Sequence, residues 1–157
     1  AEDLGRVTAV DRRLRDACGF ASMRILQFGF GRPPDSACHL PHRYPRLCAA
    51  YTGNHDNDTI VGWFRHLPPT QRRRVLAYTR GQAVTIHIDS LRTVLQSKAN
   101  LVICPLQDLL GLGCGARMNT PGTARGNWSW RLAPGCLPEA AKTLRGLTEL
   151  SGRVPDR

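Results

Sequence analysis

Hydrophobic and polar positions alternate along the chain in blocks that predict strands and helices in turn. The apolar runs 47–51 and 101–104 have the length and composition of buried strands, and the run 23–28 alternates as a third strand does. The continuous run 101–104 is typical of a parallel strand buried on both faces. Apolar positions recur at helical spacing over about 82–97. This order predicts an α/β protein.

Capping residues and breakers predict where further elements begin and end. Thr8, followed by Asp11 three residues later, predicts a capping box at a helix start, and Pro138 predicts the start of the last helix. One face of that last helix is expected to carry Leu144, Leu147 and Leu150. The segment 29–45 is rich in glycine and proline and predicts a long loop, and 151–157 predicts a frayed end.

Polar residues that can carry chemistry follow the predicted strands. The segment 52–59 comes directly after the run 47–51 and places His55 beside Asp56, a titratable pair that a turn does not need. The alternative is that its amides and acids only cap a turn and the helix that follows. Polar residues at successive strand ends are the pattern of a (β/α)8 barrel, whose active site lies at the C-terminal strand ends. A barrel needs roughly 200 residues or more, so the chain is expected to form about half of one.

Five stretches, in order, resemble the 4-α-glucanotransferases of glycoside hydrolase family 77, the amylomaltases or disproportionating enzymes. They are 1–5, 23–28, 52–59, 105–113 and 116–132. The resemblance implies that residues 1–157 form one partial catalytic domain, with no second domain. It would be the C-terminal half of a TIM barrel, from the end of the fifth strand to the eighth helix.

The resemblance also implies site residues. Retaining glycosidic chemistry needs two carboxyl groups across the scissile bond. Glu2 matches the family's acid/base and Asp56 its transition-state stabiliser. Asp3 matches an acid beside the site, Phe28 an aromatic against a sugar ring, and His55 a histidine that contacts the same sugar as Asp56. The nucleophilic aspartate belongs to the fourth strand, outside this chain, so the chain alone is expected to be inactive.

The implied reaction transfers an α-1,4-glucan segment to glucose or a maltooligosaccharide through a covalent glycosyl-enzyme. The resemblance implies neither a cofactor nor a metal, and it implies the missing N-terminal half of the barrel as a partner. The loop 29–45 departs from the family at Arg43, where an amide is expected. Trp128 and Trp130 are open to two interpretations, stacking on glucan or holding their loop down. Asp58 and Asp108 are expected to cap turns or bind backbone amides.

Charge supports a second function class. The formal net charge is +10 and is carried almost wholly by arginines, with a local run at 72–74. Such a balance raises the possibility of a basic nucleic-acid-binding module. The sequence shows no basic motif with interleaved aromatic residues of the RNA-binding kind. A degenerate, non-catalytic relative of the family is a third possibility.

The cysteines and the hydropathy pattern favour a cytoplasmic protein without a membrane span. The six cysteines have irregular spacings and no C-x-x-C, and they are expected to be reduced thiols. A zinc site could be drawn from Cys38, His39, His42 and Cys48, but their spacing fits no closed tetrahedral pattern. No apolar run approaches the roughly 18 residues of a membrane span, and no signal-peptide pattern begins the sequence.

Overall fold

The computed structural model describes residues 7–31 and 35–154. Three strands form one parallel sheet in the order β1-β2-β3, namely β1 (Ser22–Ile25), β2 (Cys48–Tyr51) and β3 (Leu101–Ile103). Parallel neighbours need a crossover connection, which helices supply between β2 and β3. The prediction of a mixed α/β fold is confirmed, and strands consecutive in the chain are neighbours in the sheet.

Six α-helices lie in the described part of the chain. They are α1 (Ala9–Ala17), α2 (Ile60–His66), α3 (Pro69–Thr79), α4 (Ile86–Leu95), α5 (Leu106–Leu109) and α6 (Leu137–Leu150). The capping box predicted for α1 is present, because the Thr8 backbone amide donates to Asp11 at 2.8 Å and the Thr8 hydroxyl accepts from the Asp11 amide at 3.3 Å. Each bond satisfies a backbone or side-chain group at the helix start.

Helices cover one face of the sheet and build two hydrophobic clusters. The first joins β2 to α2, α3 and α4 and includes Ala50, Ile60, Phe64, Val75, Ile86 and Val94. The second joins α4, α5 and α6 and includes Leu91, Leu95, Leu109, Ala140 and Leu147. Burying a large aliphatic or aromatic side chain stabilises the fold by about 1.5–3 kcal/mol, so these contacts fix the position of β2 against its helices.

The other face of the sheet is not covered by the described residues. Leu101 is 52% exposed and Ile103 is 41% exposed. The expectation that 101–104 is buried on both faces is therefore wrong for this chain. The strand is parallel as predicted, but within the described residues its neighbouring helices pack on one side only.

Two elements are shorter than predicted. The helix predicted over 82–97 begins only at Ile86, because the Asp89 carboxylate accepts from the Gln82 amide at 3.1 Å and the Thr85 hydroxyl at 2.6 Å and holds these residues in a turn. The strand predicted over 23–28 ends at Ile25 and continues as the 3₁₀ helix Leu26–Phe30.

The described part of the predicted loop, residues 29–31 and 35–45, contains more regular structure than its glycines and prolines predict. It contains the short 3₁₀ helices Asp35–His39 and Pro41–Arg43. His39 holds it to the sheet, since its Nδ1 accepts from the Ile25 amide at 3.1 Å and its carbonyl accepts from the Tyr44 hydroxyl at 2.9 Å.

The end of the chain corrects two more expectations. Leu147 is buried on α6, but Leu150 is 81% exposed because it lies at the helix end, beyond the second cluster. Arg153 donates to the carbonyl oxygens of Leu95 at 2.5 Å and Ser97 at 2.7 Å. The predicted frayed end is thus anchored to the end of α4 as far as residue 154. Within the described ranges, no helix is long and apolar enough to cross a membrane.

Candidate active site

The loop between β2 and α2, residues 52–59, carries the His55–Asp56 pair at the C-terminal end of the sheet. His55 Nε2 lies 3.3 Å from Asp56 Oδ1, and the two side chains are 48% and 42% exposed. A ligand can therefore reach both groups without any change in the loop.

Two asparagines give the 52–59 loop its shape. The Asn54 side-chain oxygen accepts from the backbone amides of Asp56 at 3.0 Å and Asn57 at 3.2 Å, while the Asn57 side-chain oxygen accepts from the Asn54 amide at 3.0 Å. Short polar side chains commonly stabilise tight turns in this way. The turn-capping interpretation therefore holds for Asn54 and Asn57, and it leaves the side chains of His55 and Asp56 available for other contacts.

A second loop, after α5, holds the pair from the other side. Asn119 Nδ2 donates to Asp56 Oδ1 at 2.5 Å, and the Asn119 backbone amide donates to the His55 carbonyl at 3.0 Å. Arg117 Nη2 donates to the Asp56 carbonyl at 2.6 Å. Sequence reasoning missed Arg117 and Asn119 as site residues. In the sequence, both residues belong to the segment 116–132 that resembles the family. That resemblance does not reveal that they bind Asp56, which lies some 60 positions earlier in the chain.

Trp128 completes this side of the site. Its ring lies 5.2 Å from the His55 ring, centroid to centroid, at an interplanar angle of 36°. The indole is 55% exposed, and the backbone has φ 59°, an unusual conformation for a bulky residue. Its amide donates to the Met118 carbonyl at 2.8 Å. Trp128 is therefore not buried under its loop, and its indole is open to a ligand beside His55. Trp130 is half-buried.

Two cavities adjoin His55. One, of about 180 Å³, lies between the 52–59 loop, Gln107, Arg117 and Trp128. The other, of about 480 Å³, runs along the uncovered sheet face past Tyr51. Ligand sites usually measure roughly 300–1,000 Å³, so the second is large enough for a sugar ring. Asp56 lines neither cavity.

The acids Asp58 and Asp108 bind backbone amides as predicted. Asp58 Oδ1 accepts from the Thr59 amide at 2.8 Å, and Asp108 Oδ1 accepts from the Ile60 amide at 2.8 Å. Asp108 is 1% exposed, and burial raises its pKa to about 6, although its hydrogen bonds act in the opposite direction. Burial and the nearby Asp108 charge raise the pKa of the Cys104 thiol to about 11. Among the described residues, no disulfide joins any of the six cysteines.

The structure brings together two of the five predicted site residues, His55 and Asp56. Phe28 is 38% exposed, makes an edge contact with His39 at 5.4 Å between ring centroids, and lines neither cavity. Glu2 and Asp3 lie outside the described residues. Among the residues that the structure does describe, no cluster of three His, Cys, Asp or Glu side chains could hold a metal ion.

Comparison with known proteins decides the family. The profile of glycoside hydrolase family 77, described as 4-alpha-glucanotransferase, matches residues 1–137. The chain belongs to this family. The 4-alpha-glucanotransferases of Thermus thermophilus and of Synechocystis are 39% and 43% identical to it over 98% of its length.

A solved structure agrees with this assignment. The amylomaltase from Streptococcus agalactiae, in complex with acarbose, superposes with a TM-score of 0.92 at 33% identity over 99% of this chain. This chain spans only about a third of the length of these relatives, namely 32% of the Thermus and Streptococcus proteins and 31% of the Synechocystis protein.

Proposed function

We propose that the chain is the C-terminal third of a longer polypeptide, a 4-α-glucanotransferase that we call the parent enzyme. The reaction is a retaining double displacement that moves an α-1,4-glucan segment to the 4-hydroxyl of glucose or a maltooligosaccharide. The observation that carries this proposal is the match to the family 77 profile over residues 1–137. The half-exposed His55–Asp56 pair at the strand ends supports it.

Each predicted residue has a role in this reaction. Glu2 protonates the leaving oxygen and then takes the proton from the acceptor hydroxyl, as a retaining mechanism requires. Asp56 stays ionised opposite the positive charge that develops on the sugar, and the Asn119 amide keeps that carboxylate oriented. His55 holds a sugar hydroxyl, with Asp3 and Phe28 as further substrate contacts. The aspartate nucleophile comes from the N-terminal part of the parent enzyme.

The same proposal accounts for the half-covered sheet. β1 and β3 are the outer strands of the described sheet, and Leu101 and Ile103 are exposed on its open face. In a closed (β/α)8 barrel both features would be buried by the remaining strands. The missing N-terminal half of the barrel is therefore the partner that this chain requires. The proposed compartment is the cytoplasm, on the separate ground of the thiols and the hydropathy pattern of the sequence.

The parent enzyme incubated with maltotriose tests the proposal. Transfer should yield glucose and longer maltooligosaccharides while the total number of reducing ends stays constant, since one glycosidic bond forms for each one broken. Glu2→Gln should abolish both products. A rise in reducing ends without longer products would identify a hydrolase instead, and no reaction would favour the degenerate relative. The 157 residues alone should be inactive, because they lack the nucleophile.

A further inference from the structure

Asp108 joins the two ends of the loop that carries His55 and Asp56. Its Oδ2 accepts from the Thr52 hydroxyl at 2.6 Å, and its Oδ1 accepts from the Ile60 backbone amide at 2.8 Å. Thr52 directly follows β2, and Ile60 is the first residue of α2. One buried carboxylate after β3 thus fixes both the start and the end of the loop from the neighbouring strand.

Gln27 holds the same loop from the opposite neighbour. It follows β1, and its side-chain amide donates to the Asp58 carbonyl at 2.7 Å while its backbone amide donates to the Thr52 carbonyl at 3.4 Å. Gly53 allows this approach, since a Cβ there would come within 2.8 Å of Gln27 Nε2. The loop is therefore held on the β1 side by Gln27 and on the β3 side by Asp108.

The loop is expected to shift as one unit with its ends, because hydrogen bonds join the residues in its interior. The reciprocal bonds between Asn54 and Asn57 make the segment that bears His55 and Asp56 one compact turn. A shift of Thr52 or Ile60 relative to the sheet would carry both side chains with it. Displacing catalytic groups by about 1 Å can cost a hundredfold in rate.

We propose that Asp108 is a positioning residue for the His55–Asp56 pair, and that it sets the distance of this pair from the neighbouring strand ends through its bonds to Thr52 and Ile60. For catalysis this rests on the function proposed above. The loop geometry itself does not depend on that function.

The alternative is that Asp108 only stabilises the fold as any buried, hydrogen-bonded acid does. Asp89 offers a matched control on α4. It is 4% exposed and also accepts from a threonine hydroxyl, that of Thr85 at 2.6 Å, and from a backbone amide, that of Gln82 at 3.1 Å. It differs in that it also pairs with Arg92 Nη1 at 2.8 Å, and in that its partners lie at residues 82–85 and on α4, which carry none of the site residues.

The test compares Asp108→Ala, Asp108→Asn and Asp89→Ala in the parent enzyme, below the unfolding temperature of each variant. Asp108→Ala should lower kcat for maltotriose disproportionation about a hundredfold and change KM little. Asp108→Asn should stay within about fivefold of wild type, since an amide oxygen can accept from Ile60 while the amide nitrogen donates to Thr52. Asp89→Ala should leave kcat nearly unchanged.

Amide hydrogen exchange gives a readout that does not need activity. Asp108→Ala should speed amide exchange across residues 52–62 and not across α4. Asp89→Ala should speed amide exchange across α4 and not across residues 52–62. If Asp108→Ala does not fold, Thr52→Val removes one of the two bonds at nearly constant volume and should show the same pattern more weakly.

Two results would overturn the proposal. Equal loss of kcat in Asp108→Ala and Asp89→Ala would make the effect a general loss of stability, and equal loss in Asp108→Ala and Asp108→Asn would assign it to the charge rather than to the bonds. A parent enzyme without transferase activity would refute the proposed function, while the exchange pattern would still decide whether Asp108 positions the loop.

Discussion

Asn119 donates its side-chain amide to the Asp56 carboxylate, with 2.5 Å between Nδ2 and Oδ1. The Asp56 side chain is 42% exposed, and His55 Nε2 lies 3.3 Å from the same Oδ1. A hydrogen bond to a charged acceptor is worth about 1.5–3 kcal/mol. The amide therefore selects one orientation of the Asp56 carboxylate.

Replacing Asn119 with alanine should free this carboxylate. We expect glucan transfer by the parent enzyme to fall roughly ten- to a hundredfold, mostly in kcat, because an oriented charge contributes most in the transition state. Asn100→Ala is the matched control, since Asn100 is exposed and lies just before β3, at the opposite end of the strands. The steady-state rate of glucose release from maltotriose measures both variants. Equal rates in Asn119→Ala and the control would show that Asp56 needs no such support.

Two glycines should respond to alanine in opposite directions. A Cβ at Gly53 would meet the Gln27 side-chain nitrogen at 2.8 Å, and overpacking of this kind costs about 1–3 kcal/mol. A Cβ at Gly146, inside α6, would meet nothing within 4 Å, so alanine there should stabilise by roughly 0.5–1 kcal/mol. Denaturant unfolding of the parent enzyme gives both free energies. The same sign for both would contradict the packing described around the 52–59 loop.

Short-range features of the fold were easier to predict from the sequence than the geometry of the site. Local patterns were enough for the capping box at Thr8 and for the position of β2, because each depends on neighbouring residues, whereas the parallel pairing was inferred from the alternation of strands with helices. The bonds from Asn119 to Asp56 and from Asp108 to Thr52 and Ile60 join distant parts of the chain, and no local pattern encodes them.

The incorrect boundaries have other causes. Asp89 keeps residues 82–85 out of α4 by accepting hydrogen bonds from residues 82 and 85, so side-chain bonds within the segment override a periodicity that favours helix. The burial of 101–104 was overpredicted because a continuous apolar run does not show whether the covering elements belong to the same stretch of chain.

The buried Asp108 predicts a pH-dependent stability. Burial raises its pKa from 3.8 to about 6, so the folded state binds a proton more tightly than the unfolded chain does. The stability contributed by the protonated acid is complete below about pH 4 and is lost as the pH rises through about 6. The free energy of unfolding of wild type minus that of Asp108→Asn should fall by roughly 2 kcal/mol between pH 4 and pH 7. A difference that is constant, or that rises with pH, would contradict this burial.

The charge of +10 predicts only weak, unspecific nucleic-acid binding. The arginine run is partly engaged in the fold, since Arg72 donates to the Leu67 carbonyl at 3.0 Å and the Arg74 guanidinium lies 5.7 Å from the centre of the Phe30 ring. Binding to mixed-sequence duplex DNA or RNA should weaken steeply with added salt, because binding releases counterions from the nucleic-acid phosphates. Sequence-selective binding that persists at physiological salt would favour the nucleic-acid-binding module instead.

The most direct measurement of the proposed catalytic role compares Asp56→Asn with Asp58→Asn in the parent enzyme. The two acids lie two positions apart in one loop, and in each variant the retained oxygen can still accept the bond that the carboxylate makes, from Asn119 at position 56 and from the Thr59 amide at position 58. With maltotriose as substrate, Asp56→Asn should lower glucose release by several orders of magnitude at unchanged stability, and Asp58→Asn should stay within about fivefold of wild type. The reason is that the proposed mechanism places Asp56, and not Asp58, opposite the charge that forms on the sugar. Near wild-type turnover in Asp56→Asn, or an equal loss in both variants, would contradict the assignment of Asp56 as the transition-state stabiliser.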